Sequence, residues 1–301
     1  MQFIGKTKID FIGMKKLSFA ISGIVALIGI LAIVQIGRGK ANMGIDFAGG
    51  TSLQLKFDQP LVLEDVRKAF SAAGMKDIDL QEVKEGNKLL VKVRKDEHSL
   101  GATSASIKSV LTSALPNNPF VVESTTEIGP AIGAKLRSDT LIAVAIALLG
   151  IILYIWFRFD LTFGVAATIA TLHDVLAMFA VFFILHKEVN LLLITAVLTI
   201  AGYSLTDTVV VFDRIRENLK KGGKEALATI FNRSINEVLS RSIITSLTTF
   251  LAATSLFLFG GEVIHDFALA LVVGIAVGTY SSVFVASPIV VVWQERAVKK
   301  A

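Results

Sequence analysis

Asp207 is a carboxylate in the stretch Gly202-Tyr203-Ser204-Leu205-Thr206-Asp207-Thr208-Val209-Val210-Val211-Phe212, which is otherwise apolar enough to lie inside a bilayer. An ionised aspartate at the centre of a membrane helix costs roughly 2.5 to 3.5 kcal/mol even on lenient scales, so it faces a bundle interior, a partner charge or a water path. Thr199, Tyr203 and Asp207 fall at i, i+4 and i+8, with Ser204 and Thr208 beside them, so a helix made mostly of Leu, Ile and Val has one polar face. A second acid, Asp174, follows His173 in another apolar run, and Arg241-Ser242 opens a third that continues through Thr245, Ser246, Thr248 and Thr249. Intramembrane acids flanked by hydroxyls are the usual material of proton paths. Each also has a plainer reading. Arg241 fits a charge reaching for the membrane interface, and Asp207 fits the point where its helix leaves the bilayer, with Asp213 and Arg214 two turns on. Asp174 fits a neutral acid bonded to a nearby hydroxyl or carbonyl. Two acids on consecutive helices also raise an aspartyl protease, although neither sits in a Tyr-Asp or Gly-x-Gly-Asp setting.

The elements that carry these residues follow from composition. Of the 301 residues 53% are hydrophobic, and the mean hydropathy of +0.67 is too high for a soluble chain of this length. Six runs are long enough to cross about 30 Å of hydrocarbon: Leu17–Ile36, Thr140–Phe157, Phe163–Leu185, Asn190–Phe212, Ser242–Phe259 and Phe267–Trp293. The first has no clear small-x-small cleavage site and reads as a retained anchor. Asp174 then lies about 16 Å into the third. Lys6, Lys8, Lys15, Lys16, Arg158, Arg214, Arg216, Lys220, Lys221, Lys224, Arg233, Arg296, Lys299 and Lys300 gather on one side of these runs. The positive-inside rule then makes residues 1–16 and 294–301 cytoplasmic and residues 37–139 extracytoplasmic. The net charge of +5 is topogenic and gives no reason to expect nucleic acid. The absence of cysteine excludes disulfides, thiol nucleophiles and thiolate metal sites.

Residues 37–139 have soluble composition. Strands are expected at Thr51–Phe57, Ile78–Val83, Leu89–Val93 and Phe120–Ser124, with helices at Leu63–Ala73 and from Ser99 or Thr103 to Leu115 and a turn at Glu85-Gly86-Asn87. That order, βαββαβ, is the α+β ferredoxin-like arrangement. Nothing in it suggests an enzyme, and His98 has no metal-ligating companion. Residues 140–293 form a five-helix membrane bundle interrupted by a cytoplasmic segment at 213–240. Within that segment Gly222-Gly223 reads as a break and Glu225–Leu239 as an amphipathic helix lying along the interface. Gly274-x-x-x-Gly278, followed by Ser281 and Ser282, permits close helix contact, and Pro288 lies near the end of the last span.

Five separated motifs occur in order along nearly the whole chain: Met43-Gly44-Ile45-Asp46-Phe47-Ala48-Gly49-Gly50-Thr51, Ile128-Gly129-Pro130-x-x-Gly133, His173-Asp174, Ser204 to Glu217 through Asp213-Arg214, and Arg241-Ser242-Ile243-Ile244-Thr245-Ser246. In this the sequence resembles the SecF side of the SecD/SecF protein-export family, which is related to the resistance-nodulation-division transporters. The resemblance implies a multi-pass subunit of the bacterial plasma (inner) membrane that pairs with SecD and works with the SecYEG channel, with YajC and the insertase YidC as further partners. It implies use of the proton motive force to promote late stages of export of polypeptides, with protons as the coupling ion and no other cofactor. It carries the proton path onto Asp207 and Arg241, to which Asp174, Ser204 and Thr208 are joined here, with a further acid supplied by SecD. Gly44, Asp46, Gly49, Gly50, Gly129, Pro130, His173, Asp213 and Arg214 are the family's structural motif positions. Two readings compete: a proton-coupled small-solute exporter subunit of the resistance-nodulation-division type, and a purely structural assembly subunit.

Overall fold

The computed structural model describes residues 7–75, 78–83, 86–94, 101–221 and 225–298. His98, Glu85, Ser99, the Gly222-Gly223 break and Lys6, Lys224, Lys299 and Lys300 lie outside the described residues. Two compact units emerge: Met43–Ile142 with Glu188–Leu191, and the remainder.

In the first unit the alternation of apolar residues sets the strands, β1 Gly50–Phe57, β2 Ile78–Val83, β3 Lys88–Arg94 and β4 Phe120–Ile128, in the order β2-β3-β1-β4 with every neighbouring pair antiparallel. This is the expected βαββαβ topology. Leu53, Leu55 and Phe57 of β1 and Leu89 and Val91 of β3 point to one face, where they bury Val66, Phe70, Ile107 and Leu111 of two helices, Leu63–Ala72 and Ala102–Ala114. β4 runs four residues beyond its expected end at Ser124, because pairing with β1 continues to Gly50 after a register shift at Gln54/Leu55. Backbone pairing holds a polar stretch that alternation alone does not mark as a strand.

Among the described residues six helices are long and apolar enough to cross a membrane. They are numbered here α1 Lys15–Gly37, α2 Pro130–Arg158, α3 Leu161–Ile184, α4 Leu191–Lys220, α5 Leu227–Phe259 and α6 Glu262–Ser281, the last continuing through a π-helical turn at Ser282–Ala286 into α7 Ser287–Val298. Several exceed the apolar runs. α2 starts at Pro130, whose missing N–H costs nothing in the first turn of a helix. α4 continues to Lys220. The expected helix Glu225–Leu239 is not a separate element: from Leu227 it forms the first part of α5, which runs 33 residues without a break. No Gly or Pro stands between Leu239 and Ser242, and on the apolar side of this half Phe231 and Ile235 are buried in the bundle's own core with Phe11 and Ile12. Asn232 and Asn236 accept from the backbone N–H groups of Ile12 and Ile9, both at 3.0 Å, which ties the start of the chain to α5.

The π-turn lies just before Pro288, which has no N–H to donate and whose ring crowds the carbonyl of Phe284. The wider turn absorbs both, and Ser287 Oγ donates to Ser282 O at 3.0 Å within it.

Candidate functional site: two carboxylates inside the helix bundle

Small side chains make the site possible. Ala166, Ala167, Ala170 and Ala177 are buried along α3, so neighbouring helices approach closely around Asp174, which is fully buried. On α6 a Cβ at Gly278 would stand 2.9 Å from Ser204 Cβ, and one at Gly274 would collide with the Ile200 side chain. The Gly-x-x-x-Gly spacing is therefore the seam between α6 and α4, and it brings the hydroxyls that follow it to both helices.

Asp174 Oδ2 accepts hydrogen bonds from Ser204 Oγ of α4 at 2.5 Å and Ser281 Oγ of α6 at 2.7 Å, while Oδ1 is 3.0 Å from His173 Nδ1. His173 Nε2 is buried without a hydrogen-bond partner. Four residues along α4, Thr208 Oγ1 lies 2.9 Å from Ser282 Oγ, so α4 and the end of α6 are stitched twice. Tyr280 in the same stretch of α6 reaches Ser22 of α1, with hydroxyls 3.2 Å apart.

Asp207, 6% exposed, accepts from Ser246 Oγ of α5 at 2.9 Å, and Ser246 is in turn 2.8 Å from Thr279 Oγ1 of α6. Its other side opens on a cavity of 140 Å³ lined by Tyr203, Thr206, Asp207, Val210, Arg241, Ser242 and Thr245. That space admits several waters at about 30 Å³ each. Arg241 is exposed and no ion pair joins it to Asp207; the two share the cavity without touching. The helix continues thirteen residues beyond Asp207, so the acid does not mark the end of its helix.

The five proposed proton-path residues thus fall into two clusters. Asp174 with Ser204 forms one, and Asp207 with Arg241 the other; Thr208, on the face of α4 between them, bonds to Ser282. Among the described residues no hydrogen bond joins the two carboxyls, so a shared-proton acid pair of the protease kind is not assembled. Ser246 and Ser281 touch the acids and Thr279 touches Ser246; in the sequence Ser246 reads as part of a hydroxylated face and Ser281 as a packing residue, and Thr279 does not stand out. The signal available was their register: Gly274, Gly278, Ser281 and Ser282 fall at i, i+4, i+7 and i+8.

The structural motif residues have separate tasks. Asp213 pairs with Arg158 at 2.6 Å, and Arg214 pairs with Glu237 at 2.6 Å and with Glu217. In the unit that contains the sheet, Gly44 N donates to Val189 O at 2.9 Å and Asp46 Oδ2 accepts from Leu191 N at 3.0 Å. Gly49 and Gly50 adopt φ of 77° and 145°. A Cβ on Gly49 would stand 3.0 Å from Pro130 Cα, and one on Gly133 would stand 2.9 Å from Gly49 N, so the Gly-Gly motif and the Gly129-Pro130 motif pack on each other.

Residues 107–296 match the model of the protein export membrane protein SecD/SecF C-terminal family, and residues 40–61 match that of the SecD/SecF GG motif. The chain is 54% identical over 293 residues to the protein translocase subunit SecF of Thermodesulfovibrio yellowstonii, covering 96% of each, and 42% identical over 287 residues to that of Calditerrivibrio nitroreducens, covering 94% of this chain and 93% of the relative. Among solved structures it is similar to SecDF, a translocon-associated membrane protein from Thermus thermophilus, with a TM-score of 0.84 and 37% identity. That match covers 96% of this chain and 39% of the SecDF polypeptide, so the chain spans about two fifths of that structure.

Proposed function

Since the chain belongs to the SecD/SecF family of protein-export membrane proteins, we propose that it drives its part in Sec export with protons taken up at Asp207. It is a multi-pass membrane protein and a SecF-type subunit of the export machinery, with a partner of the SecD type. The proton reading is carried by one observation: Asp207 is buried in the middle of α4 and meets a single hydroxyl on one side and a cavity with room for several waters, shared with Arg241, on the other. Ionised, the carboxylate is drawn towards the guanidinium across that cavity; protonated, it loses the attraction, and the contact between α4 and α5 relaxes. One charge moving through 100 mV supplies about 2.3 kcal/mol, so a few protons suffice to bias a helix rearrangement. Asp174, held by three partners, serves as the fixed second acid of the path.

The remaining assignments belong to the same proposal. The chain acts as a subunit without an enzymatic reaction of its own and needs no cofactor beyond the proton. It lies in the bacterial plasma membrane with both termini cytoplasmic and the ferredoxin-like unit outside, where exported polypeptides emerge from a SecYEG-type channel, with YajC and YidC as further contacts. The test is proton-driven export in inverted membrane vesicles depleted of the endogenous subunit and resupplied, with SecD, with the native chain or Asp207→Asn. The variant is expected to insert and bind SecD while export falls to the level measured without a proton gradient. Export equal to that of the native chain would assign this subunit a scaffolding role.

A further inference from the structure

We propose that Glu188 is the positioning residue through which displacement of α4 reaches the sheet. The proposal rests on the reading of Asp207 as the proton site. Glu188, whose side chain is 8% exposed, sits in the link between α3 and α4 and holds two cations of β3: Oε2 is 2.8 Å from Lys92 Nζ and Oε1 is 2.7 Å from Arg94 Nη2. Lys92 and Arg94 alternate with Leu89, Val91 and Val93, so they leave the sheet on the face away from its core.

The surroundings explain what this carboxylate adds. Residues Glu188–Leu191 belong to the same compact unit as the sheet. Val189 bridges Met43 and accepts from Gly44 N, and Asp46 accepts from the N–H of Leu191, the first residue of α4. These bonds fasten the helix start to residues 43–46. Those residues reach β1 through Gly49 and Gly50, whose φ of 77° and 145° glycine adopts without strain. Glu188 adds a second tie and grips β3, an interior strand, directly. From Leu191 the helix runs unbroken to Asp207, sixteen residues and about 24 Å away. A shift of α4 at the acid is therefore delivered at its first turn to a carboxylate clamped to the sheet. The preceding residue, Lys187, turns to Asp266 of the bundle at 2.8 Å, so the division between the units falls between two adjacent, oppositely charged side chains.

The test measures proton-driven export and proton uptake in the same vesicles, using the full chain with SecD. Glu188→Gln is expected to lose the proton-driven part of export while keeping native proton uptake, and Glu188→Asp to recover part of it. Because the chain has no cysteine, the double variant Glu188→Cys with Lys92→Cys can be bridged specifically by a short bifunctional thiol reagent; export is expected to return on bridging and to stay lost without it. Native export in Glu188→Gln, loss of uptake together with export, or a bridged pair as inactive as the unbridged one each overturns the proposal. Asp207→Asn, run alongside, is expected to lose both readouts. If it keeps uptake, the proton assignment fails, while the bridging arm still judges the Glu188 tie.

Discussion

At the scale of single residues the bundle places hydroxyls where acids need them. Asp174 takes two of its three bonds from serines on different helices, and a buried hydrogen bond to an ionisable group contributes roughly 1.5 to 3 kcal/mol. Ser281→Ala is therefore expected to lower the stability of the detergent-solubilised protein by about that amount, read as a lower thermal unfolding midpoint. Ser204→Ala together with Ser281→Ala is expected to be non-additive, because both act on one oxygen. The two acids stood out in the sequence because a charge in an apolar run has few explanations. Ser281, Ser246 and Thr279 did not, since small hydroxylated residues serve close packing and hydrogen bonding equally well and only the helix register distinguishes the two. The family resemblance joined Asp207 and Arg241 in one path; in the structure both line one cavity.

At the scale of elements, the contact of α4 with α6 depends on absent side chains. Gly278→Val would force a methyl-bearing Cβ to 2.9 Å from Ser204 Cβ, and overpacking of that kind costs roughly 1 to 3 kcal/mol. The expected result is a lower thermal midpoint together with weakened export, since the same displacement pulls Ser281 from Asp174. Gly23→Ala on α1 is the control. A Cβ there meets nothing within 4 Å, so the substitution is expected to be neutral or to stabilise by about 0.5 to 1 kcal/mol. Hydropathy revealed all six spans because apolar runs of membrane length have few alternatives. It did not reveal where the helices end. α4 and α5 carry on through charged sequence, held by pairs such as Arg214 with Glu237 and by Asn232 and Asn236 on the chain's start, which are contacts between segments far apart in sequence. The π-turn was equally hidden, since Pro288 announces a disturbance but not its form.

At the scale of the whole molecule, the ferredoxin-like unit has its own hydrophobic core, and its topology could be read from the order of its strands and helices. Leu53, fully buried at the centre of that core, is the residue on which to test its independence. Leu53→Ala is expected to cost about 2 to 5 kcal/mol. Hydrogen exchange is expected to show the sheet amides losing protection while those of the bundle helices keep theirs. What the sequence could not show is that this unit is discontinuous. It takes Glu188–Leu191 from beyond two intervening helices, and no composition or periodicity marks three loop residues and the first of a helix as part of a distant unit. That discontinuity bears on how the protein is made. Synthesis proceeds at about 5 to 20 residues per second, so the 46 residues from Ile142 to Glu188 hold back the last piece of the unit for roughly 2 to 9 s. During that interval Lys92 and Arg94 have left the ribosome without Glu188, and the four strands, all within residues 50–128, can pair before that tie arrives. The last ties of the ferredoxin-like unit are thereby timed by synthesis of the two helices that precede them.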